Sequence, residues 1–416
     1  MSQVQKAPEV VQKAPKSCPT TWTLEELHAH LQAAVSLELC TIPLYLYAMY
    51  SIELTGHRGK EAHCTLLEVV VQEMIHLGLA GNILTALGGR PRVYGEAFTP
   101  KYPSELLYEG VLMTLAPADK HQLKAFAEIE RPAEMGAAHS FDIPEPPNDR
   151  KAVQYLSIGE FYKAIMEGMH QLNNSGSLTF DKNSTGKQWI GKELHHKNPE
   201  CTEAPTRSPI PELAPITDYE TAILKLNLII DEGEGRGLTD TGKGAEPTES
   251  SHYDRFKKLS GYPELNVYPL VSNPKTSLFK DLEDTKYSEH CYPAMLAFDA
   301  AYSYLLLTLE AGWTYEGPGD INSGGIGPNL HNLMTEVMGP ISKVLVRQKL
   351  KNFQKNAAPP FNLYTFNLHS SPKDEIKALI EEAISRYSYP KEDKEQLEKA
   401  LKGVGDLHDI KLDGIQ

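Results

Sequence analysis

Between Thr23 and Gly89 the chain is built of two long apolar runs, each interrupted by only a few polar residues. Apolar positions in HLQAAVSLELCTIPLYLYAMYS and TLLEVVVQEMIHLGLAGNILTALGG recur at helical spacing, and both runs are far longer than a strand. A break at Thr55-Gly56 makes them an antiparallel helical pair. Thr23 followed by Glu26 is a capping box that opens the first helix, and Gly88-Gly89 closes the second. Pro43 cannot donate to the carbonyl of Leu39, so the first helix is expected to kink beside Glu38.

The pattern downstream predicts further helices. A connector at 90–151 holds a short one in PADKHQLKAFAEIER, and a third long helix runs from about 153 to 172, with Ile158, Phe161, Ile165 and Met169 on one stripe. A polar stretch, 173–214, precedes a capping box at Thr217 and Glu220. This opens a fourth helix, which pauses at Gly233 to Gly237 and resumes at SHYDRFKKLSG. From about 290, four more apolar-periodic segments follow, and no βαβ alternation or Gly-rich phosphate loop occurs. The expected class is all-α. The expected division is a tail at 1–20, a metal-binding bundle with long inserted loops at 21–265, a helical extension packed on it at 266–405, and a tail at 406–416.

Three polar side chains interrupt the apolar runs far from any cap. Counting from His57 at the turn, Glu38 lies 19 residues back, Glu73 16 residues on and His76 19 residues on. With a rise of about 1.5 Å per residue in both helices, they fall at nearly one height. Glu73 and His76, three apart, share a face. A buried carboxylate without a partner is costly, so three such groups at one level require a common partner, and a divalent metal is the simplest. Oxygen-rich ligands with imidazole suit iron or manganese better than structural zinc.

A carboxylate-bridged di-metal site takes a Glu from each of two helices and a Glu-x-x-His pair from each of two others. That spacing alone does not select, since it recurs along the chain, among other places at Glu25/His28, Glu73/His76, Glu167/His170 and Glu249/His252. Glu25 and His28 belong to a solvated first turn, and Glu167 with His170 to an exposed last turn. Glu160, in the apolar setting SIGEFY, is the expected third-helix carboxylate. On the fourth helix, His252 pairs either with Glu249, at helical spacing, or with Glu234, which requires the intervening residues to loop out and return. Tyr45, seven residues after Glu38, lies on its face as a core residue or a hydrogen-bond partner.

Charge and cysteine usage narrow the setting. Across 416 residues, 41 Lys and Arg stand against 55 Asp and Glu, net −14, which argues against nucleic acid and an anionic membrane surface as partners. Five scattered cysteines with no CxxC argue against a disulfide framework or zinc knuckle and for a reducing, cytoplasmic compartment. The N-terminus repeats VQKAP without a continuous apolar segment and reads as a tail, not a signal peptide. The most apolar run, Leu37 to Leu54, contains Glu38, Pro43 and Glu53 and reads as a buried helix, not a membrane span.

HLQAAVSLELCTIPLYLYAMYS, QEMIHLGLAGNIL with its following Gly pair, AEIERP, SIGEFY, and TDYETAILKLNLIIDEGEG with SHYDRF together resemble the ferritin-like domain family named for iminophenylpyruvate dimer synthase. The similarity spans about residues 23 to 360. It implies a ferritin-like four-helix bundle with ligands at Glu38, Glu73, His76, Glu160, Glu234 and His252, favouring Glu234 over Glu249. The activity it implies is that of a non-haem di-iron oxidase or oxygenase with O2 as co-substrate, acting on a small amino-acid-derived or imine substrate in secondary metabolism. A homodimer is the expected assembly. A dimanganese catalase-like centre and a non-catalytic metal-binding scaffold are the alternatives.

Overall fold

The structure, a computed structural model, describes residues 19, 21–104, 112–132, 155, 157–191, 201, 213–233, 250–280, 291–316, 321, 326–350, 354–367, 369–386 and 388–410. Its first two helices, α1 (Leu24–Ser51) and α2 (Gly56–Ala86), form the antiparallel pair read from the apolar runs. Thr23 and Glu26 close the capping box from both sides: the Glu26 amide donates to Thr23 Oγ1 at 3.2 Å, and the Thr23 amide to Glu26 Oε2 at 2.8 Å. Pro43 lies inside α1 without ending it.

Shorter helices complete the first half. They are α3 (Lys120–Ile129), α4 (Ile158–Asn174), α5 (Tyr219–Gly233) and α6 (His252–Ser260). Asp119, Ser157 and Ser251 cap α3, α4 and α6 through their side chains. α4 packs on α1 and α5, α5 on α2, and α3 on α6. Two starts differ from the sequence expectation. The third long helix begins only after Ser157, and the cap of α5 is formed one residue later than expected, by Asp218 and Thr221. There the Thr221 amide donates to Asp218 Oδ1 at 2.8 Å and the Asp218 amide to Thr221 Oγ1 at 3.2 Å. Asp is at least as good a cap as Thr, and it wins the position.

The second half adds α7 (Thr276–Lys280), α8 (Tyr292–Trp313), α9 (Gly327–Asn332), a π-helical turn over Leu333–Met338, α10 (Gly339–Leu345), α11 (Pro372–Arg386) and α12 (Lys391–Gly405). Its only sheet among the described residues is β1 (Lys349–Leu350) against β2 (Lys355–Asn356), antiparallel with Lys349 opposite Asn356. The all-α class holds. Backbone bonds from Glu53 to Asn266 (2.9 Å) and from Tyr268 to Ser51 (2.8 Å) stitch the α1–α2 turn to the segment that leads into this half.

α8 meets α2 at a crossing that only glycine permits. A Cβ on Gly81 would stand 2.1 Å from the Trp313 ring, and one on Gly312 would stand 2.3 Å from Trp189. Asn82 fastens the same crossing: its amide donates to the Trp189 carbonyl at 2.6 Å, and its Oδ1 accepts from the Trp189 amide at 2.9 Å and the Trp313 indole at 3.1 Å. By length and composition α1, α2 and α8 could each cross a membrane, yet 83%, 78% and 89% of their apolar windows lie buried inside the protein. Their apolarity serves a core.

One expectation is overturned. Cys64 on α2 is disulfide-bonded to Cys201, with a Cα–Cα distance of 5.5 Å across 137 residues of sequence. A single long-range pairing needs no CxxC and no even count, so the cysteine spacing carried no sign of it. Cys40 and Cys291 are free and buried.

Candidate metal centre

Five elements aim six ionisable side chains at one point of the bundle. α1 supplies Glu38; α2 supplies Glu73 and His76; the C-cap of α3 is Glu130; α5 supplies Glu232 one residue before its end; and His252 opens α6. All are buried, from 1% exposed at His252 to 8% at Glu232. Capping explains part of the precision. Ser251 fixes the first turn of α6, so the direction of His252 is set by the helix start.

The donor atoms fall into two groups. Glu38, Glu73 and His76 offer one ligand atom each within a 4.8 Å span, and so do Glu73, Glu130 and His252. Glu73 is common to both. His76 Nδ1 lies 3.6 Å from Glu38 Oε2, and His252 Nδ1 lies 2.8 Å from Glu73 Oε1 and 3.9 Å from Glu130 Oε2. Each imidazole thus turns Nδ1 to the Glu38, Glu73 and Glu130 carboxylates and Nε2 to a side chain outside these two groups. His76 Nε2 meets Glu232 Oε2 at 2.7 Å, and His252 Nε2 meets Gln72 Oε1 at 3.3 Å, where the Arg255 guanidinium also donates at 3.0 Å. Such outer contacts select the ring face and the tautomer that a metal ligand needs.

The remaining carboxylate oxygens are held by hydroxyls. Thr41 Oγ1 donates to Glu73 Oε2 at 2.9 Å, the Tyr45 hydroxyl donates to Glu130 Oε1 at 2.5 Å, and the Tyr162 hydroxyl donates to Glu38 Oε1. Phe126 and Phe256 pack on the Tyr45 ring at centroid distances of 4.7 and 4.8 Å. Water is excluded from that side.

The donor set fits a pair of divalent cations. His252 Nδ1 is buried and makes no aligned hydrogen bond among the described residues, although Glu73 Oε1 is only 2.8 Å away. A buried ring nitrogen left without a hydrogen bond beside a carboxylate is an atom that a cation would satisfy. Four carboxylates would also carry four negative charges into a dry interior, which two dications would neutralise.

The electrostatics show the cost of that charge. Burial, then repulsion from Glu130 and Glu38, pushes the Glu73 carboxyl well above the usual carboxylate range. Burial opposes charge on His76, but the hydrogen bonds and charges of Glu232 and Glu38 outweigh it and hold the imidazole well above its usual value. His252 is pushed well below its usual value by burial, then by the charges of His76 and Arg255.

Of the side chains expected at the site, the structure brings together Glu38, Glu73, His76 and His252. Glu160 is not among them. The late start of α4 places it in the first turn, half-buried, where its amide donates to the capping Ser157 hydroxyl at 3.0 Å. Glu234 and Glu249 lie outside the described residues. Sequence reasoning missed Glu130 and Glu232. Glu130 had a signal, since an acid at a helix C-terminus is disfavoured by the dipole and calls for a reason. Glu232 had another: it lies three residues after Ile229 and continues the buried stripe of Leu226 and Ile229. Glu167 and His170 are exposed, as expected for a last turn.

A family model described as Ferritin-like matches residues 31–261. Among curated proteins, the chain is similar to dichlorochromopyrrolate synthase of Lentzea aerocolonigenes, 22% identical over 385 residues, which is 82% of this chain and 36% of that protein. It is also similar to 2-imino-3-(indol-3-yl)propanoate dimerase of Chromobacterium violaceum, 23% identical over 366 residues, 80% of this chain and 33% of that protein. The chain spans about a third of the length of these relatives. Among solved structures, a ferritin like protein from Caulobacter vibrioides is 24% identical, with a TM-score of 0.49, covering 75% of this chain and 96% of that one.

Proposed function

This chain belongs to the ferritin-like family, and from that premise we propose that it is a non-haem di-iron oxidoreductase that uses O2 to oxidise a small amino-acid-derived or imine substrate. The observation that carries the reading is the sharing of Glu73 between two donor groups, each with its own imidazole and its own further carboxylate. A shared carboxylate suits a bridged pair of metals better than two isolated sites. The substrate class draws on the two relatives, one of which is named for an imino acid with an indole ring.

In this reading Glu38, Glu73 and His76 would hold one metal, and Glu73, Glu130 and His252 the other. Bound there, two ferrous ions would supply the electrons that reduce O2. Glu232 and Gln72 hold the two imidazoles from their Nε2 sides, which fixes Nδ1 toward the metals. Tyr162, Tyr45 and Thr41 each occupy one carboxylate oxygen, leaving fewer ways for the ligands to rearrange. With three side chains for each ion, the set would leave coordination positions for O2 and substrate.

Metal analysis of the purified protein, followed by O2 uptake by the anaerobically reduced form, tests this. The expected result is near two irons per chain and O2 consumption on mixing. Manganese with prompt peroxide breakdown and no O2 uptake would assign the catalase-like alternative. Bound metal with neither activity would assign the scaffold.

A further inference from the structure

A third group of metal-ligating side chains among the described residues shares nothing with the carboxylate centre. His63, Cys64 and Cys201 offer one nitrogen and two sulfurs, all within 4.8 Å of one another. Consecutive positions of a helix diverge by about 100°, so His63 and Cys64 of α2 need a third side chain from elsewhere to enclose a ligand between them. Cys201, on the connector that returns to α2, is that side chain. Cys64 and Cys201 are buried, 5% and 6% exposed, and His63 is half-buried. Cys64 stands nine residues before Glu73 on α2, about 13 Å along the axis, so the two sites are distinct.

A disulfide needs only two cysteines, and in the oxidised chain these two are bonded. The imidazole beside them has no part in that bond, and it changes what reduction produces. Two thiolates and one imidazole are the donor set of an open zinc site, with three protein ligands and a fourth position for water. Ferrous ion and manganese prefer the oxygen-rich centre, so each site selects its own metal, and iron content stays the same when the chain is reduced. The other two cysteines mark the contrast. Cys40 and Cys291 are free and buried, belong to no such group, and burial pushes both thiols up to about 12. No CxxC announces the site, because its sulfurs are joined by the fold across 137 residues and not at the short spacing from which zinc motifs are read.

We propose that His63, Cys64 and Cys201 form a redox-gated zinc site, closed as a disulfide in the oxidised chain and open to one zinc ion once reduced. A dithiol supplies two electrons and two protons, becoming a disulfide itself, and the Cys64–Cys201 bond is replaced by two thiols. Zinc then takes both sulfurs as thiolates, their two protons go to solvent, and His63 supplies the third ligand as a neutral imidazole.

Cobalt(II) is the probe, because a thiolate ligand gives it an intense near-ultraviolet charge-transfer band that carboxylates and imidazoles do not. The full chain is reduced with dithiothreitol, which is removed by anaerobic gel filtration, and is titrated with cobalt and then with zinc. The expected result is no such band in the oxidised protein, a saturable band in the reduced protein, and its loss as zinc displaces the cobalt. His63→Ala leaves the disulfide in place, yet once reduced it should bind at this site at least about tenfold more weakly, since even a lost outer contact to a metal ligand costs that much. Cys64→Ser and Cys201→Ser should each lose the band, and a band that persists there would assign the ion to Cys40 or Cys291. Glu73→Gln should keep it, which makes failure of this proposal distinct from failure of the di-iron reading. A reduced chain that loses helical circular dichroism is titrated in the same way, and zinc should restore the helices. No band in the reduced parent, a band that survives in either serine variant, undiminished affinity in His63→Ala, or helices that stay lost with zinc present would overturn the proposal.

Discussion

Glu73 illustrates at the scale of one residue how a functional position opposes stability. It is 2% exposed, between Glu38 and Glu130, in a site that repels a third carboxylate until cations arrive. Glu73→Gln keeps the shape and removes the charge. The metal-free variant is therefore expected to melt higher than the parent, while metal content falls at both positions, because both share this side chain. Metal analysis and melting curves with and without added ferrous ion check the pair of outcomes. The pH dependence has a definite sign. A carboxyl whose folded pKa is raised contributes stability that is complete below its ordinary 4.5 and lost as pH rises through the folded value. His76, also raised, acts in the same direction from its ordinary 6.5 upward, and His252, lowered, acts in the opposite one, its contribution fading as pH falls below 6.5. The Glu73 contribution is lost as pH rises above 4.5, so the stability advantage of metal-free Glu73→Gln over the metal-free parent should grow with pH. Metal uptake should release protons over the same range, measurable in weakly buffered solution.

At the scale of the element, caps decide which carboxylates reach the centre. Ser157 starts α4 and so fixes Glu160 in its first turn, where an acid favours the helix dipole. Ser157→Ala is expected to cost about 1 kcal/mol in urea unfolding. Glu160→Ala should leave metal content unchanged, and loss of metal there would show that α4 supplies a ligand after all. These elements also show what the chain made legible. The equal heights of Glu38, Glu73 and His76 follow from helix rise alone, because long helices on either side of a turn leave little freedom. Glu130 and Glu232 were hidden, since each stands in the last residues of a shorter helix where the rise from a distant turn cannot be counted. AEIERP marked the resemblance without revealing that its second Glu faces inward. The Cys64–Cys201 pair had no local pattern at all, being made by the return of a connector onto α2.

At the scale of the whole molecule, two long-range joints hold the helices in place. The α2–α8 crossing is the first. Gly81→Ala would drive a methyl group into the Trp313 ring, and the expected loss is about 1–3 kcal/mol in urea unfolding, the range for overpacking a core. The disulfide is the second. It closes a loop of 137 residues that encloses the rest of α2 together with α3 and α4, while α1, α5 and α6 stay outside it. Restricting so long a loop in the unfolded chain is worth up to about 5 kcal/mol. Reduction, or Cys201→Ser, should therefore shift the urea midpoint downward by a corresponding amount. Saturating metal content should not change, because Glu38, Glu73, His76, Glu130 and His252 are placed by buried helix packing that persists while the protein stays folded. A Cys201→Ser protein that unfolds at the same urea concentration as the oxidised parent would mean that the cross-link contributes nothing to stability. One that folds but cannot be loaded would tie the connector at Cys201 to the metal centre.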